Sequence, residues 1–282
     1  MSMRIAPELP LKKLVIGGLE RVYEIGKVFR NEGQSAFHNP EFTTCEFYKA
    51  YSDYHDLMTI TENLLSGLVK HILNSESATI VYQGQEISFE PPFRRLSVLD
   101  TLEKKLQLRP GSFPDLNDLS SRDETRTELL TLIESGGLSL PTDGVKEFTN
   151  EKLLDYLIGE LIEPECIQPT FLCDHPVALS PLAKEHSSKN GLCERFELFV
   201  AGRELANAYS ELNDPEEQLQ RFKMQQLLKN SGDVEAMPLD QEYVNALEYG
   251  LPPCAGWGMG IDRLIMLMTN QASIRDVILF PL

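Results

Sequence analysis

The stretch from residue 30 to residue 48 constrains the fold of this 282-residue chain more than any other. It reads Arg-Asn-Glu-Gly-Gln-Ser-Ala-Phe-His-Asn-Pro-Glu-Phe-Thr-Thr-Cys-Glu-Phe-Tyr, so Gly and Pro lie between two strand-like runs. This pattern predicts a β-hairpin, in which side chains alternate between the two faces of the sheet. One face carries Arg30 and Glu32 on the first strand. On the returning strand the same face carries Phe42, Thr44, Glu46 and Tyr48.

Such a face brings together a phosphate-binding cation, a stacking ring and acidic groups. The alternating positions Cys45 and Phe47 are apolar, which predicts that the other face of the hairpin packs on a core. A solvated hairpin face is the alternative, but Phe and Tyr beside Glu disfavour it. The hairpin is therefore interpreted as part of a binding site.

A second candidate segment is Gly-Trp-Gly-Met-Gly-Ile-Asp-Arg at residues 256–263. It is not a dinucleotide fingerprint, because Ile261 occupies the position of the third glycine and too few residues follow for a βαβ unit. A P-loop sequence is also absent. The glycines instead permit close backbone approach before a helix N-terminus, which favours anions. Arg263 in the first helical turn adds a positive charge, with a plain surface cation as the alternative.

Composition disfavours several classes of protein. The formal net charge of −17 disfavours general nucleic-acid binding, because phosphate contacts need Lys and Arg. No apolar run approaches the roughly 18 residues that span a bilayer, so we expect no membrane association. The five cysteines form neither a CxxC pair nor a zinc array, and no signal peptide is visible. We therefore expect reduced thiols and an intracellular protein.

The order of predicted elements indicates an α+β fold with an antiparallel β-sheet flanked by helices. An amphipathic stretch near the N-terminus carries Leu14, Val15, Leu19, Val22 and Ile25. After the hairpin, Asp53 predicts a helix cap, and that helix is expected to bury Leu57, Ile60, Leu64, Leu68 and Ile72. Residues 97–163 are predicted to form a helical insertion, with helices near 97–106, 121–133 and 149–162. Strands return after residue 169, and a last helix begins near residue 261.

Three segments resemble those of class II aminoacyl-tRNA synthetases and, within that class, those of lysyl-tRNA synthetases. Residues 30–48 resemble motif 2, and residues 256–263 resemble motif 3. Between them, Glu197 and residues 204–214 resemble the metal-binding and amino-acid-binding strands of the family. The resemblance extends from about residue 3 to residue 282. It implies that residues 1–282 form a class II catalytic domain, with residues 97–163 as an insertion within it.

For ATP, the resemblance implies that Arg30 binds the α-phosphate and Arg263 the γ-phosphate, both as catalytic residues. Phe42 and Arg263 would enclose the adenine, with Glu32 at its edge and His38 at the outer phosphates. The full implied ATP-binding set is Arg30, Asn31, Glu32, His38, Asn39, Phe42, Glu197, Leu198, Gly260, Ile261, Asp262 and Arg263. Glu197 and Glu204 would bind Mg²⁺. The alternative for this pair is a salt bridge with Arg195 or Arg203.

For lysine, the resemblance implies that Glu8 binds the α-amino group, whereas Arg30 and Asn207 bind the carboxylate. The substrate side chain would lie among Glu46, Tyr48, Tyr209 and Glu211. Acidic groups at its far end require a cationic substrate, since a buried unpaired carboxylate is costly. Strict alternation places Glu204 on the face opposite Asn207. A single common site therefore predicts a β-bulge or a bend between these two residues.

The resemblance thus implies a lysine–tRNA ligase that uses ATP and Mg²⁺ to activate L-lysine as lysyl-adenylate and transfers it to tRNA(Lys). The expected location is the cytoplasm, with the mitochondrion as an alternative, and the family forms homodimers. Two other interpretations stay open. The chain could transfer lysine to a protein acceptor, as related lysyltransferases that modify elongation factor P do. It could also be a non-catalytic fragment with an interaction role.

The family's anticodon-binding β-barrel and motif 1, which builds its dimer interface, have no counterpart in this sequence. We therefore expect the 282-residue chain alone to expose apolar surface and an unpaired strand edge, and to be weakly stable or aggregate. We also expect it to charge tRNA at least ~100-fold more slowly than a version carrying the upstream segment.

Overall fold

The computed structural model describes residues 3–31, 33–116, 122–140, 148–230 and 237–281. The strands are β1 (Arg21–Phe29), β2 (Glu41–Ala50), β3 (Thr79–Tyr82), β4 (Gln85–Ser88), β5 (Arg94–Ser97), β6 (Thr170–Cys173), β7 (Arg195–Val200), β8 (Arg203–Ser210) and β9 (Cys254–Gly260). The α-helices are α1 (Glu8–Ile16), α2 (Tyr54–Leu73), α3 (Val98–Lys105), α4 (Arg122–Ser135), α5 (Asn150–Leu161), α6 (Pro215–Asn230), α7 (Gln241–Leu247) and α8 (Ile261–Met268).

Seven of these strands form one sheet in the order β1-β2-β9-β8-β7-β6-β5. Neighbouring strands are antiparallel except for β5 and β6, which are parallel. β3 and β4 form a separate hairpin. The predicted α+β fold with an antiparallel sheet is confirmed. The strand order brings β2 and β8, which are distant in sequence, to the two sides of β9.

The predicted hairpin is formed by β1 and β2, which pair along their whole length. The prediction that Arg30 lies on the first strand is wrong, because β1 ends at Phe29 and Arg30 begins the connecting loop. On one face of β2, Cys45 and Phe47 pack against the main core. Phe47 stacks there on Trp257 of β9, with ring centroids 5.0 Å apart. The other face of β2 is left for Phe42, Thr44, Glu46 and Tyr48, as the alternation predicted.

The predicted β-bulge lies in β8. Across the β7–β8 pair, Leu198 is opposite Ala206, but the next residue, Phe199, is opposite Glu204. Leu205 is therefore the extra residue of the bulge. This shift confirms the prediction and places Glu204 on the same face of the sheet as the later cavity-lining residues of β8.

Helix α2 begins where the sequence predicted. The Asp53 side chain accepts hydrogen bonds from the backbone N–H groups of His55 and Asp56, at 2.9 and 3.0 Å, which caps the helix. The predicted buried stripe is partly wrong, because Leu64 and Ile72 are 44% and 51% exposed. The helix instead turns a neighbouring face to the sheet, with Leu57, Met58, Leu65 and Val69 buried.

The N-terminal part differs from the predicted single amphipathic stretch. α1 ends at Ile16 and β1 begins at Arg21, so the stretch spans a helix, a turn and a strand. Gly18 allows this turn, because its φ of 97° is in the left-handed region. The inner face of α1 buries Leu11, Lys12 and Val15.

Residues 97–163 contain the three predicted helices α3, α4 and α5. These helices share a second apolar cluster, which also includes Leu172 of β6 and Phe199 of β7. Residues 117–121 and 141–147 lie outside the described part of the chain. That this helical segment is an insertion in the catalytic domain stays a prediction.

At one edge of the main sheet, β1 exposes Tyr23 and Ile25. None of the helices in the described ranges combines the length and the apolar character needed to cross a membrane.

Candidate active site

A cavity of about 270 Å³ opens on the face of the sheet where β2, β9 and β8 lie side by side. The loop between β1 and β2 and the start of α1 complete its wall. The predicted site residues that line it are Glu8, Arg30, His38, Asn39, Phe42, Glu46, Tyr48, Glu204, Asn207, Tyr209, Gly260, Asp262 and Arg263. The structure thus brings the residues predicted for lysine and those predicted for ATP into one place.

The predicted site residues that do not line this cavity are Asn31, Glu197, Leu198, Glu211 and Ile261. Glu32 lies outside the described residues. Alternation along β7 turns the Leu198 side chain into the main core, where it is fully buried. Ile261 also packs against that core. A contact of Leu198 with ATP would therefore come from its backbone, and the assignment of both residues to ATP stays a prediction.

The acidic end of the cavity is built on β2. Glu46 and Tyr48 are buried, at 7% and 4% exposure, and Tyr48 Oη donates a hydrogen bond of 3.3 Å to Glu46 Oε2. Gly258 of β9 leaves room for this carboxylate, since a Cβ there would lie 3.3 Å from Glu46 Cγ. Burial, assisted by the charge of Glu8, raises the pKa of Glu46 to about 7.

Glu211 follows β8 and is 2% exposed. A Cβ added to Gly256 would lie 2.1 Å from Glu211 Oε1 and 2.3 Å from Tyr48 Cε1, so these groups need a glycine there. Glu211 Oε1 has no hydrogen-bond donor among the described residues. Burial raises the pKa of Glu211 to about 8, although the charge of Lys12 opposes the shift. A buried carboxylate oxygen without a donor is the kind of group that a cationic ligand satisfies.

Lys12, which no sequence motif predicted to lie at the site, forms an ion pair with Glu211 and donates a hydrogen bond of 2.6 Å to Glu8 Oε1. Burial alone would lower the pKa of Lys12, but the carboxylates of Glu211 and Glu8 raise it well above its usual value. One signal could have found this residue. Lys12 is a charged residue on the helix face that buries Leu11 and Val15, and it lies four residues after Glu8, at the spacing of an ion pair within a helix.

Two residues of β8 connect the acidic end to the rest of the site. Tyr209 Oη donates a short hydrogen bond to Glu8 Oε1. Asn207 Oδ1 accepts a hydrogen bond of 3.2 Å from Arg195 Nε. These contacts hold the groups predicted for the α-amino and carboxylate ends of lysine against the sheet.

The loop between β1 and β2 carries the groups predicted for the nucleotide. Arg30 Nε donates to the backbone oxygen of Ile5 at 3.3 Å, and the guanidinium carbon lies 5.3 Å from the centroid of the Phe42 ring. Further along the loop, the Phe37 ring lies 4.0 Å from the guanidinium carbon of Arg203. Both cation–π contacts hold the loop beside the cavity.

Helix α8 begins at Ile261, as predicted, and places Arg263 in its first turn. Arg263 Nη1 donates to the backbone oxygen of Glu204 at 2.7 Å and lies 3.5 Å from the Glu204 carboxylate. Arg263 Nη2 lies 3.2 Å from His38 Nε2. Asp262 Oδ2 accepts a hydrogen bond of 2.6 Å from the backbone N–H of Thr43, which ties the helix start to β2.

Glu197 and Glu204 lie on the paired strands β7 and β8. Glu197 forms an ion pair with Arg195 and lies 3.4 Å from His175 Nε2. Burial opposes ionisation of Glu197, but Arg195 and His175 lower its pKa to about 2. Partial desolvation in the cavity and the charge of Glu197 raise the pKa of Glu204.

These two carboxylates fit a nucleotide-bound Mg²⁺ better than a metal held by protein alone. In the described part of the chain, no group of three or more His, Cys, Asp or Glu side chains is arranged to hold a metal ion. Mg²⁺ in nucleotide sites needs only one or two carboxylates besides phosphate oxygens. Glu204 lines the cavity, and the negative charge of Glu197 next to it favours a cation there.

The two ends of the cavity have opposite charge. Arg30 and Arg263 can bind an anionic polyphosphate, while Glu8, Glu46 and Glu211 can bind amines. The hairpin that resembles motif 2 and the segment that resembles motif 3 line the same cavity. This arrangement agrees with the class II resemblance. The sequence profile of the family described as tRNA synthetases class II (D, K and N) matches residues 1–282. The chain belongs to this family.

Similar proteins include three lysine–tRNA ligases. The chain is 53% identical to a probable cytoplasmic lysine–tRNA ligase of Encephalitozoon cuniculi (strain GB-M1), with 100% of this chain and 55% of that protein covered. It is 50% identical to lysine–tRNA ligase cla4 of Cladosporium cladosporioides, covering 100% and 47%. It is also 50% identical to a lysine–tRNA ligase of Legionella pneumophila (strain Paris), covering 100% and 54%. The chain spans about half the length of the curated relatives it matches.

Proposed function

We propose that this chain carries the catalytic site of a lysine–tRNA ligase, with L-lysine, ATP and tRNA(Lys) as substrates. The observation that carries the proposal is the buried acidic end of the cavity, where Glu46 lines the wall and Glu211 Oε1 lacks a donor among the described residues. The names of the relatives, with about 50% identity across the whole chain, support the same activity.

The acidic end explains why lysine suits this cavity better than aspartate or asparagine. The side chain of aspartate would bring a carboxylate toward Glu46 and Glu211, and like charges in a buried site repel strongly. Asparagine would leave both carboxylates without a cation. The ammonium group of lysine supplies donors and charge together, so the site rejects neutral side chains without a separate editing step.

The other end of the amino acid is oriented by different residues. Glu8 would bind the α-ammonium group, and Arg30 with Asn207 would bind the carboxylate. The distance between these groups and Glu211 would then determine which length of substrate side chain fits the site. A shorter cationic amino acid would not reach both ends at once.

In the first reaction, a carboxylate oxygen of lysine forms a bond to the α-phosphorus of ATP, and the bond to pyrophosphate breaks. Arg30 would stabilise the charge at the α-phosphate, while Arg263 and His38 would hold the outer phosphates. In the second reaction, a ribose hydroxyl of the terminal adenosine of tRNA attacks the carbonyl carbon, and AMP leaves. Positioning and charge stabilisation account for this chemistry, and no protein nucleophile is needed.

Mg²⁺ would be held at Glu204, with Glu197 beside it, and would neutralise negative charge on the triphosphate. We further propose a cytoplasmic location, because the relative from Encephalitozoon cuniculi is named as cytoplasmic. The homodimer is a property of the family, and the oligomeric state of this chain stays a prediction.

Lysine-dependent exchange of labelled pyrophosphate into ATP tests the first reaction. We expect exchange with lysine and none with aspartate, asparagine or norleucine. Labelled lysine is then offered with tRNA or with a protein acceptor. Charging of tRNA supports the proposal, whereas labelling of the protein acceptor alone would show a lysyltransferase. If no lysine-dependent exchange occurs, the proposal is wrong for this chain.

A further inference from the structure

Lys12 is a fully buried lysine that the reaction described above does not use. Lysine is almost never fully buried unless it is paired. Here the ammonium group contacts two carboxylates, those of Glu8 and Glu211. It also lies 5.4–5.8 Å from the ring centroids of Tyr48, Tyr209 and Tyr243. A cage of carboxylates and aromatic rings is the environment that recognises an amine.

Lys12 does not occupy the space that a ligand would use. Glu8, Tyr48 and Tyr209 line the cavity, but Lys12 does not. Glu211 does not line the cavity either, but it lies next to Gly256, which does. The ammonium group therefore contacts Glu8 and Glu211 from behind the cavity wall. It connects Glu8, assigned to the α-ammonium end of lysine, with Glu211, assigned to the far end of the side chain.

With lysine bound, the positive and negative charges at the acidic end are equal in number only when Lys12 is counted. The acidic end contains the three carboxylates of Glu8, Glu46 and Glu211. Bound lysine would bring two ammonium groups, while its own carboxylate would pair with Arg30. Lys12 supplies the third ammonium group, so that three positive charges meet three negative charges. Without it, one carboxylate would remain in excess in a buried site, which is costly.

We propose that Lys12 is a specificity-determining residue of the amino-acid site, which positions Glu211 and sets the charge of the pocket to match a substrate with two ammonium groups. This inference rests on the proposed function. It is a positioning role, because Lys12 acts through Glu211 and does not touch the substrate. The Glu8 carboxylate keeps a second donor, Tyr209, and depends less on Lys12.

A role in charge matching affects the pH dependence of lysine binding. The titratable groups that face Lys12 are Glu8 on its own helix, Glu46 and Tyr48 on β2, Tyr209 on β8, Glu211 after β8, Tyr243 on α7 and Cys254 on β9. Removal of the ammonium group raises the pKa of the nearby carboxyl groups, because it removes a favourable charge. Lysine binding should then begin to weaken at a higher pH.

The test compares Lys12→Met with Lys13→Met. Lys13 is the next residue on α1 and makes only a surface contact, 3.7 Å from Glu242. For Lys12→Met we expect the lysine Kd to rise at least ~10-fold, as removal of one partner of a buried pair predicts, with the ATP Kd unchanged. The ratio of lysine to norleucine affinity should fall. The pH at which lysine binding weakens should shift upward. Lys13→Met should match the wild type in all four measurements.

A folded Lys12→Met variant with an unchanged lysine Kd and pH profile overturns the inference. If Lys12→Met does not fold, Lys12→Met/Glu211→Gln replaces both charges and avoids the unpaired one. This double variant should bind lysine within about threefold of Glu211→Gln alone, because Lys12 acts through Glu211. A further loss well beyond that overturns the inference. Absence of lysine binding by the wild-type chain would instead overturn the proposed function.

Discussion

The two ends of the cavity differ in how far they are removed from water. At the acidic end, Glu46, Tyr48 and Glu211 are at most 7% exposed, and Lys12 is fully buried. At the nucleotide end, the side chains of Arg263 and Glu204 are 25% and 40% exposed. The first end is built on strands and a helix, whereas the second depends partly on the loop between β1 and β2.

This difference predicts where substitutions have large effects. Water screens the charges at the nucleotide end, so the loss of one contact there is moderate. At the acidic end a charge without a partner cannot be solvated, so the loss of one group is expensive. Amino-acid selection is therefore expected to be more sensitive to single substitutions than nucleotide binding.

The largest effect is expected for Glu211→Gln. It removes one partner of a buried charge pair, and we expect a loss of lysine affinity of ~100-fold or more with nearly unchanged ATP affinity. Calorimetry measures both. Glu242→Gln is the control, since the side chain of Glu242 is 92% exposed. An unchanged lysine response for Glu211→Gln would place this residue outside the pocket.

Gly256→Ala tests whether the acidic end depends on close packing as well as charge. The added Cβ would lie 2.1 Å from Glu211 Oε1 and 2.3 Å from Tyr48 Cε1, so at least one of these groups must move. We expect a loss of lysine affinity of about tenfold to a hundredfold, consistent with the roughly 1–3 kcal/mol that overpacking costs. Gly67→Ala is the matched control, since a Cβ there meets nothing within 4 Å. Equal lysine affinity in both variants would contradict the prediction.

Arg263→Ala tests the nucleotide end. Loss of a charge-assisted contact to phosphate predicts about tenfold weaker ATP binding in the presence of Mg²⁺. Adenosine binding should weaken less than ATP binding, because it loses only the contact with the adenine, and lysine affinity in the absence of ATP should change little. Arg21→Ala, an exposed substitution at the start of β1, serves as the control. If ATP and adenosine binding weaken equally, Arg263 does not act at the phosphates.

The last prediction concerns the pH dependence of lysine binding. The pKa of Glu46 is about 7 and that of Glu211 about 8 in the free pocket. An ammonium ligand favours the ionised carboxyl groups, so lysine binding lowers these pKa values and releases protons. Lysine affinity should therefore fall as the pH falls below about 8, by at most tenfold per pH unit for each linked proton.

Calorimetry in buffers of different ionisation enthalpy detects the released protons. ATP binding is the internal comparison, because its phosphates are assigned to the arginine side chains and not to Glu46 or Glu211. Glu46→Gln should reduce the number of protons released on lysine binding. Proton release that is equal for lysine and ATP would remove the proposed distinction between the two ends.

Much of the fold and the candidate site followed from local patterns in the sequence. Period-two alternation predicted which side chains of β2 face the cavity, because a strand fixes the direction of each side chain. The glycines before Ile261 predicted the start of α8. The conflict between Glu204 and Asn207 predicted the bulge at Leu205, because two residues can share a face only if the register shifts between them.

The tertiary structure alone decided which residues meet across the sheet. The sequence did not reveal that Lys12 would contact Glu211, because nothing local links α1 to the end of β8. Nor did it show that Gly256 would make room for that carboxylate. The buried face of α2 was also decided by packing, and Leu64 is exposed although its spacing predicted burial. Local patterns determine the direction of a side chain along its own element, but its partner depends on which elements become neighbours when the sheet forms.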